Sequence, residues 1–106
     1  MSGMDNREKA FENKFAHDQE MKFKAEARRN KLLGLWAAAE MGISGDEANA
    51  YAVEVVRADF EEAGHEDVVR KIRKDFDEAG VAHSDQVIRE RMIELLAEAS
   101  RQIEAE

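Results

Sequence analysis

The segment EMGISGDEANAYAVEVVRADF, residues 40–60, holds both a helix stop and a helix start. Gly42 is the residue type that ends helices, because glycine takes the left-handed C′ conformation without a Cβ clash. Two residues on, SGDE reads as a start. Ser44 can accept from the Glu47 backbone N–H while Glu47 reaches back, which is a capping box. From there Ala48, Tyr51, Ala52, Val55, Val56 and Phe60 recur at steps of three and four. That spacing fits one face of a 3.6-residue helix and not the alternation of a strand. The stretch predicts a helix, a tight turn and a second helix.

The same punctuation organises the rest of the chain. Upstream, Leu32, Leu35, Trp36 and Ala39 mark the stripe of a first helix ending at Gly42, with Arg28 and Arg29 one turn earlier. Gly64 is the expected end of the second helix. Val68, Val69, Ile72 and Phe76 then define a short third helix, with Gly80 as its C′ residue. Ser84 is placed to cap a last helix carrying Ile88, Met92, Leu95, Leu96, Ala99 and Ile103. No run shows a period of two, so the expected class is all-α. The short connections favour neighbouring helices packed antiparallel or obliquely. Trp36 and Tyr51 are expected in packing between the first two helices.

A chain of 106 residues suits one domain. Cysteine is absent, so no disulfide framework argues for secretion, and a cytosolic location is the expectation. No apolar run approaches the roughly 20 residues that cross a bilayer. The net charge of −8 divides into +2 on residues 1–31 and −10 on the remaining 75. An acidic body with a mildly basic leading segment is a poor nucleic-acid ligand, because the body repels phosphate.

That leading segment poses the functional question. Residues 7–18, REKAFENKFAHD, are mostly charged, yet Phe11 and Phe15 stand one helical turn apart. Ala10, Phe11 and Phe15 make a narrow seam on an otherwise polar rod. A helix shorter than about 12–15 residues is marginal in water without a packing partner. The segment is therefore expected to be a mobile arm that becomes helical when a partner receives the two rings. A flap folded back on the bundle is the plainer alternative. Between Phe15 and Leu32, however, only Met21, Ala25 and Arg29 continue the stripe.

No catalytic constellation is readable, and an enzyme is not expected. His17, His65 and His83 lie in different segments without metal-ligand spacing and read as solvated. His17, in the arm, is also a candidate pH sensor. No metal and no cofactor are implied. Arg28 and Arg29 with Lys31 form a basic cluster that reads first as a solvated face, and second as a weak nucleotide site. GISGDE lacks the lysine of a phosphate-binding loop.

The blocks AFENKFAHD and FKAEARRNKLLGLWAA, then EMG, ADFEEAGHEDVVRKI and MIELLAEA, are long and specific. Together they closely resemble the alphaproteobacterial zeta subunit, the inhibitor of the F-type ATP synthase. The resemblance implies a four-helix bundle over residues 19–106 with a mobile inhibitory arm over residues 1–18. It implies that the arm enters the catalytic alpha/beta interface as a helix, touches the central rotor subunit and blocks rotation in the hydrolytic direction. Carried onto this chain, the partner-binding positions are Phe11, Glu12, Asn13, Lys14, Phe15 and His17. The resemblance further implies a monomer held at the cytoplasmic face of the membrane through the enzyme, without membrane insertion. A helical module that binds nucleotide or lies on a membrane surface is the alternative function; the six acids of residues 1–31 weigh against the membrane.

Overall fold

The computed structural model describes the backbone of residues 2–61 and 66–106, and the side chains of residues 19–59 and 66–106. Four helices follow one another: α1 (Ser2–Glu40), α2 (Gly45–Glu61), α3 (Glu66–Ala79) and α4 (Asp85–Ala105). Among the described residues there is no strand, so the fold is the all-α four-helix bundle expected from the glycine punctuation.

Two of the three predicted stops are built as the sequence implies. At the end of α1, Gly42 has φ 76°. Ile43 N–H donates to the Ala38 carbonyl at 2.8 Å and Gly42 N–H to that of Ala39 at 3.1 Å. At the end of α3, Gly80 has φ 74°, with Val81 N–H on the Phe76 carbonyl and Gly80 N–H on that of Asp77. Both are Schellman motifs, which satisfy carbonyls that the helix end would otherwise leave unpaired. The third stop, Gly64, lies outside the described residues. Ser84 caps α4 as expected, its hydroxyl accepting from Val87 N–H at 3.3 Å.

The capping box at Ser44 does not form. Gly45, the first residue of α2, has φ 65°, a left-handed conformation that departs from the regular first turn a capping box needs. Asp46 and Glu47 still place negative charge in the first turn, where the helix dipole favours it.

Helix α1 packs against both α2 and α4, while α3 packs against α2 and α4. The pairings are antiparallel. Gly34 of α1 faces Ala52 and Val55 of α2, whereas Phe23 and Asn30 lie near Asp59. Arg91 of α4 covers the Trp36 ring, while Arg28 reaches Gln102 and Glu106. The predicted stripes of α2, α3 and α4 supply the core. Val55, Val68, Ile72, Phe76 and Ile88 are fully buried. The Phe60 side chain lies outside the described residues.

The stripe of α1 differs from the expectation. Leu33, Ala37 and Ala38 are fully buried, whereas Leu32, Leu35 and Trp36 are half-buried and Ala39 is exposed. Residues 32–39 are apolar all round, so periodicity alone does not orient them. Contact with two neighbours at once, through a face broadened by Gly34, selects the Leu33–Ala37–Ala38 side.

Candidate functional site

The geometry that bears on function lies where the bundle releases α1. Helix α4 ends at Ala105. Its last turns, with Leu96, Ser100, Ile103 and Glu104, lie beside Met21, Lys22, Ala25 and Glu26 of α1. On the other side, Asp59 near the end of α2 lies beside Phe23, Ala27 and Asn30. Both neighbours of α1 therefore stop at the level of about Met21. The helical path of α1 nevertheless starts at Ser2. At about 1.5 Å per residue it runs some 28 Å past the bundle. The molecule is accordingly 65 Å long and only 25 × 21 Å across.

The side chains of Phe11, Glu12, Asn13, Lys14, Phe15 and His17 lie outside the described residues, and so does His65. The helix that carries residues 11–17 is nonetheless the one the bundle grips from Met21 onward.

The two arginines singled out as a nucleotide site are not brought together. Arg28 spends its donors on the C-terminal end of α4. Nη1 donates to Gln102 Oε1 at 3.0 Å and Nη2 to the Glu106 carboxylate at 2.6 Å. Arg29 is instead 3% exposed, and its Nε and Nη2 donate to Asn30 Oδ1 at 3.2 and 3.1 Å. Burial pulls the Arg29 guanidinium below its ordinary pKa, and the nearby Asp59 and Glu26 carboxylates pull it back. A guanidinium keeps its proton in such a setting, so Arg29 is a buried cation held by acids and an amide. Asn30 is 1% exposed. This buried polar pair escapes a sequence reading because RRNK looks like a solvated face.

At the far end of the bundle the structure gathers residues that the sequence scatters. The His83 ring stacks on Trp36, centroids 5.7 Å apart, and meets Phe76 at 5.6 Å. Its Nε2 lies 3.1 Å from a Glu40 carboxylate oxygen. His83 is thus a half-buried fastening between the α3–α4 connection and the last turn of α1, and not the freely solvated histidine expected. The reason is Trp36, which offers its ring face at the position the connection crosses. Tyr51, in the same buried cluster as Leu33, Ala37 and Ala38 of α1, also ties α2 to α3, its hydroxyl donating to Asp75 Oδ2 at 2.7 Å. Among the described residues, no group of three acidic, histidine or cysteine side chains is placed to hold a metal. None of their helices is long and apolar enough to cross a membrane.

The comparisons give this geometry its context. The family model for ATPase inhibitor subunit zeta matches residues 1–102, nearly the whole chain and including the projecting segment. The chain belongs to the ATPase inhibitor subunit zeta family. A similar fold is also found among solved structures. One chain solved by solution NMR is 56% identical, with a TM-score of 0.72 over 80% of this chain and 96% of its own length. Comparison with curated proteins finds no match. Zeta family membership accords with association with an F-type ATP synthase. It also agrees with the resemblance read from AFENKFAHD and FKAEARRNKLLGLWAA.

Proposed function

We propose that this zeta-family chain inhibits ATP hydrolysis by the F-type ATP synthase through residues 1–18, which insert as a helix into the catalytic alpha/beta interface. The observation that carries the reading is the mismatch of lengths. Helix α1 runs past the ends of both its bundle partners, and the sequence there supplies two phenylalanines at a four-residue step. A segment of that kind is recognised by laying its apolar anchors into a groove. Phe11 and Phe15 are the anchors. Glu12, Asn13, Lys14 and His17 meet the rim and set register.

Two buried phenylalanines contribute about 3–6 kcal/mol before ordering costs. That is enough to make the arm selective for a closed cleft and little enough to let it leave. An interface that closes around the helix in one sense of rotation holds it. The reverse sense reopens the cleft and releases the helix, so hydrolysis is blocked while synthesis is spared. The central rotor subunit is the second surface the arm touches. The protein acts by occupancy, as a monomer without chemistry of its own, at the cytoplasmic face of the membrane that carries the enzyme.

The test is the double variant Phe11→Ala, Phe15→Ala. Circular dichroism of the bundle should be unchanged. The concentration for half-maximal inhibition of ATP hydrolysis should rise by about tenfold or more, since each 1.4 kcal/mol lost is a factor of ten. Inhibition equal to wild type, with helicity intact, would remove the two rings from the mechanism.

A further inference from the structure

The open end of the bundle carries a groove of about 270 Å³ between α1 and the last turns of α4. Its floor is apolar, made by Met21, Ala25, Leu96 and Ile103, and Glu26, Glu104 and Lys22 stand at its edge. The groove lies in line with the arm. Eleven residues make just over three turns of an α-helix, about 16 Å along its axis. Positions 11 and 15 therefore lie three turns upstream of positions 22 and 26, on the same stripe of one uninterrupted helix. Whatever clasps the arm along positions 11 and 15 meets the groove next.

The geometry points to this groove as the second half of the arm's docking surface, receiving an apolar side chain accompanied by a Lys or Arg on the wall of the same ATPase cleft. The inference rests on the arm reading above. Two features select the occupant. The apolar floor requires a nonpolar side chain. At the rim Glu26 also faces the buried Arg29, while Glu104 stands exposed near the end of α4; that exposed carboxylate favours a cation beside it, and complementary charge fixes the register of such a contact. A helix that entered its cleft by the arm alone would be free to stop at several depths. A groove at a fixed distance from the anchors sets one depth.

The test uses the full-length protein and the cognate ATPase. Ser100 lies in the groove and is half-buried. Ser100→Arg fills it and brings positive charge to the acidic rim without removing a core side chain. Glu104→Lys reverses the rim at an exposed position, so it answers the question even if Ser100→Arg does not fold. Each folded variant should keep the wild-type melting temperature and raise the half-inhibitory concentration about tenfold. Unchanged inhibition by folded Ser100→Arg or by Glu104→Lys, while Phe11→Ala with Phe15→Ala weakens it, overturns the groove proposal and leaves the arm intact. Failure of the phenylalanine variant to weaken inhibition overturns the arm reading itself. A wild-type dimer in sedimentation that Ser100→Arg dissociates would give the groove to a second copy of the chain and would also overturn the proposal.

Discussion

Replacing Gly34 by alanine tests how the bundle holds the helix that becomes the arm. A Cβ built on Gly34 would lie 2.6 Å from Ala52 Cα and 3.2 Å from both Ala52 Cβ and Val55 Cγ2. The closest of these is backbone, which moves only if α2 shifts away from α1. Opposing this, alanine is favoured over glycine inside a helix by about 1 kcal/mol. Overpacking a close contact costs typically 1–3 kcal/mol, and a contact onto backbone belongs at the upper end. The net expectation is a loss of about 1–2 kcal/mol. For a domain of this size each kcal/mol shifts the melting temperature by roughly 4–8 °C. Thermal melts followed at 222 nm should therefore show Gly34→Ala melting about 4–16 °C below wild type, with the m-value for urea unchanged. If Gly34→Ala melts at or above the wild-type temperature, helix propensity has won, and the close α1–α2 approach does not govern stability.

Two further substitutions test named interactions. Burial first, and then the hydrogen bond to Asp75, push the Tyr51 phenol above its ordinary pKa. The folded state keeps a proton that the unfolded chain releases near pH 10. This stabilisation is therefore complete below about pH 10 and is lost as pH rises beyond it. Tyr51→Phe should cost about 1 kcal/mol at pH 7 and flatten the decline above pH 10; urea midpoints at pH 7, 10 and 11 measure both. Gly80 has φ 74° with open space around it, so Gly80→Ala adds only backbone strain, about 1–2 kcal/mol, read as a lower urea midpoint with wild-type helicity.

The fold was legible because its punctuation is local. Gly42, Gly80 and Ser84 act within four residues of themselves, and each is built as the spacing implies. Amphipathic stripes with a polar opposite face, as in α3, were equally readable: Val68, Val69, Ile72 and Phe76 are all buried. The stripe of α1 was not, because a run apolar on every side takes its orientation from its partners. Gly34 is the example. Its role is to lack a side chain opposite Ala52, which sits 18 positions away in sequence. Arg29 with Asn30, Tyr51 with Asp75, and His83 with Trp36 and Glu40 share that property. Each is decided by which helices meet, and no local spacing encodes it. Ser44 shows the converse: a capping pattern legible in the sequence that goes unused where Gly45 is left-handed.

Of the proposed site, the sequence supplies the two phenylalanines and the structure adds where the neighbours of α1 end. Phe11 and Phe15 stand out in residues 7–18 because little else there is apolar. That α2 and α4 both stop beside residues 21–30 of α1 depends on tertiary register. The groove at the end of α4 could not be anticipated either. Leu96 and Ile103 read as ordinary core positions, and only the end of the bundle opens a groove over them next to Met21.

The central claim is that the bundle is an anchor and the projecting first turns of α1 are the inhibitor. The direct measurement is ATP hydrolysis by the cognate F-type ATPase titrated with the full chain and with a chain beginning at residue 19, both checked for helicity and melting. The account predicts that the shortened chain keeps its folded bundle and no longer inhibits at concentrations where the full chain is saturating. Equal inhibition by the two would contradict it.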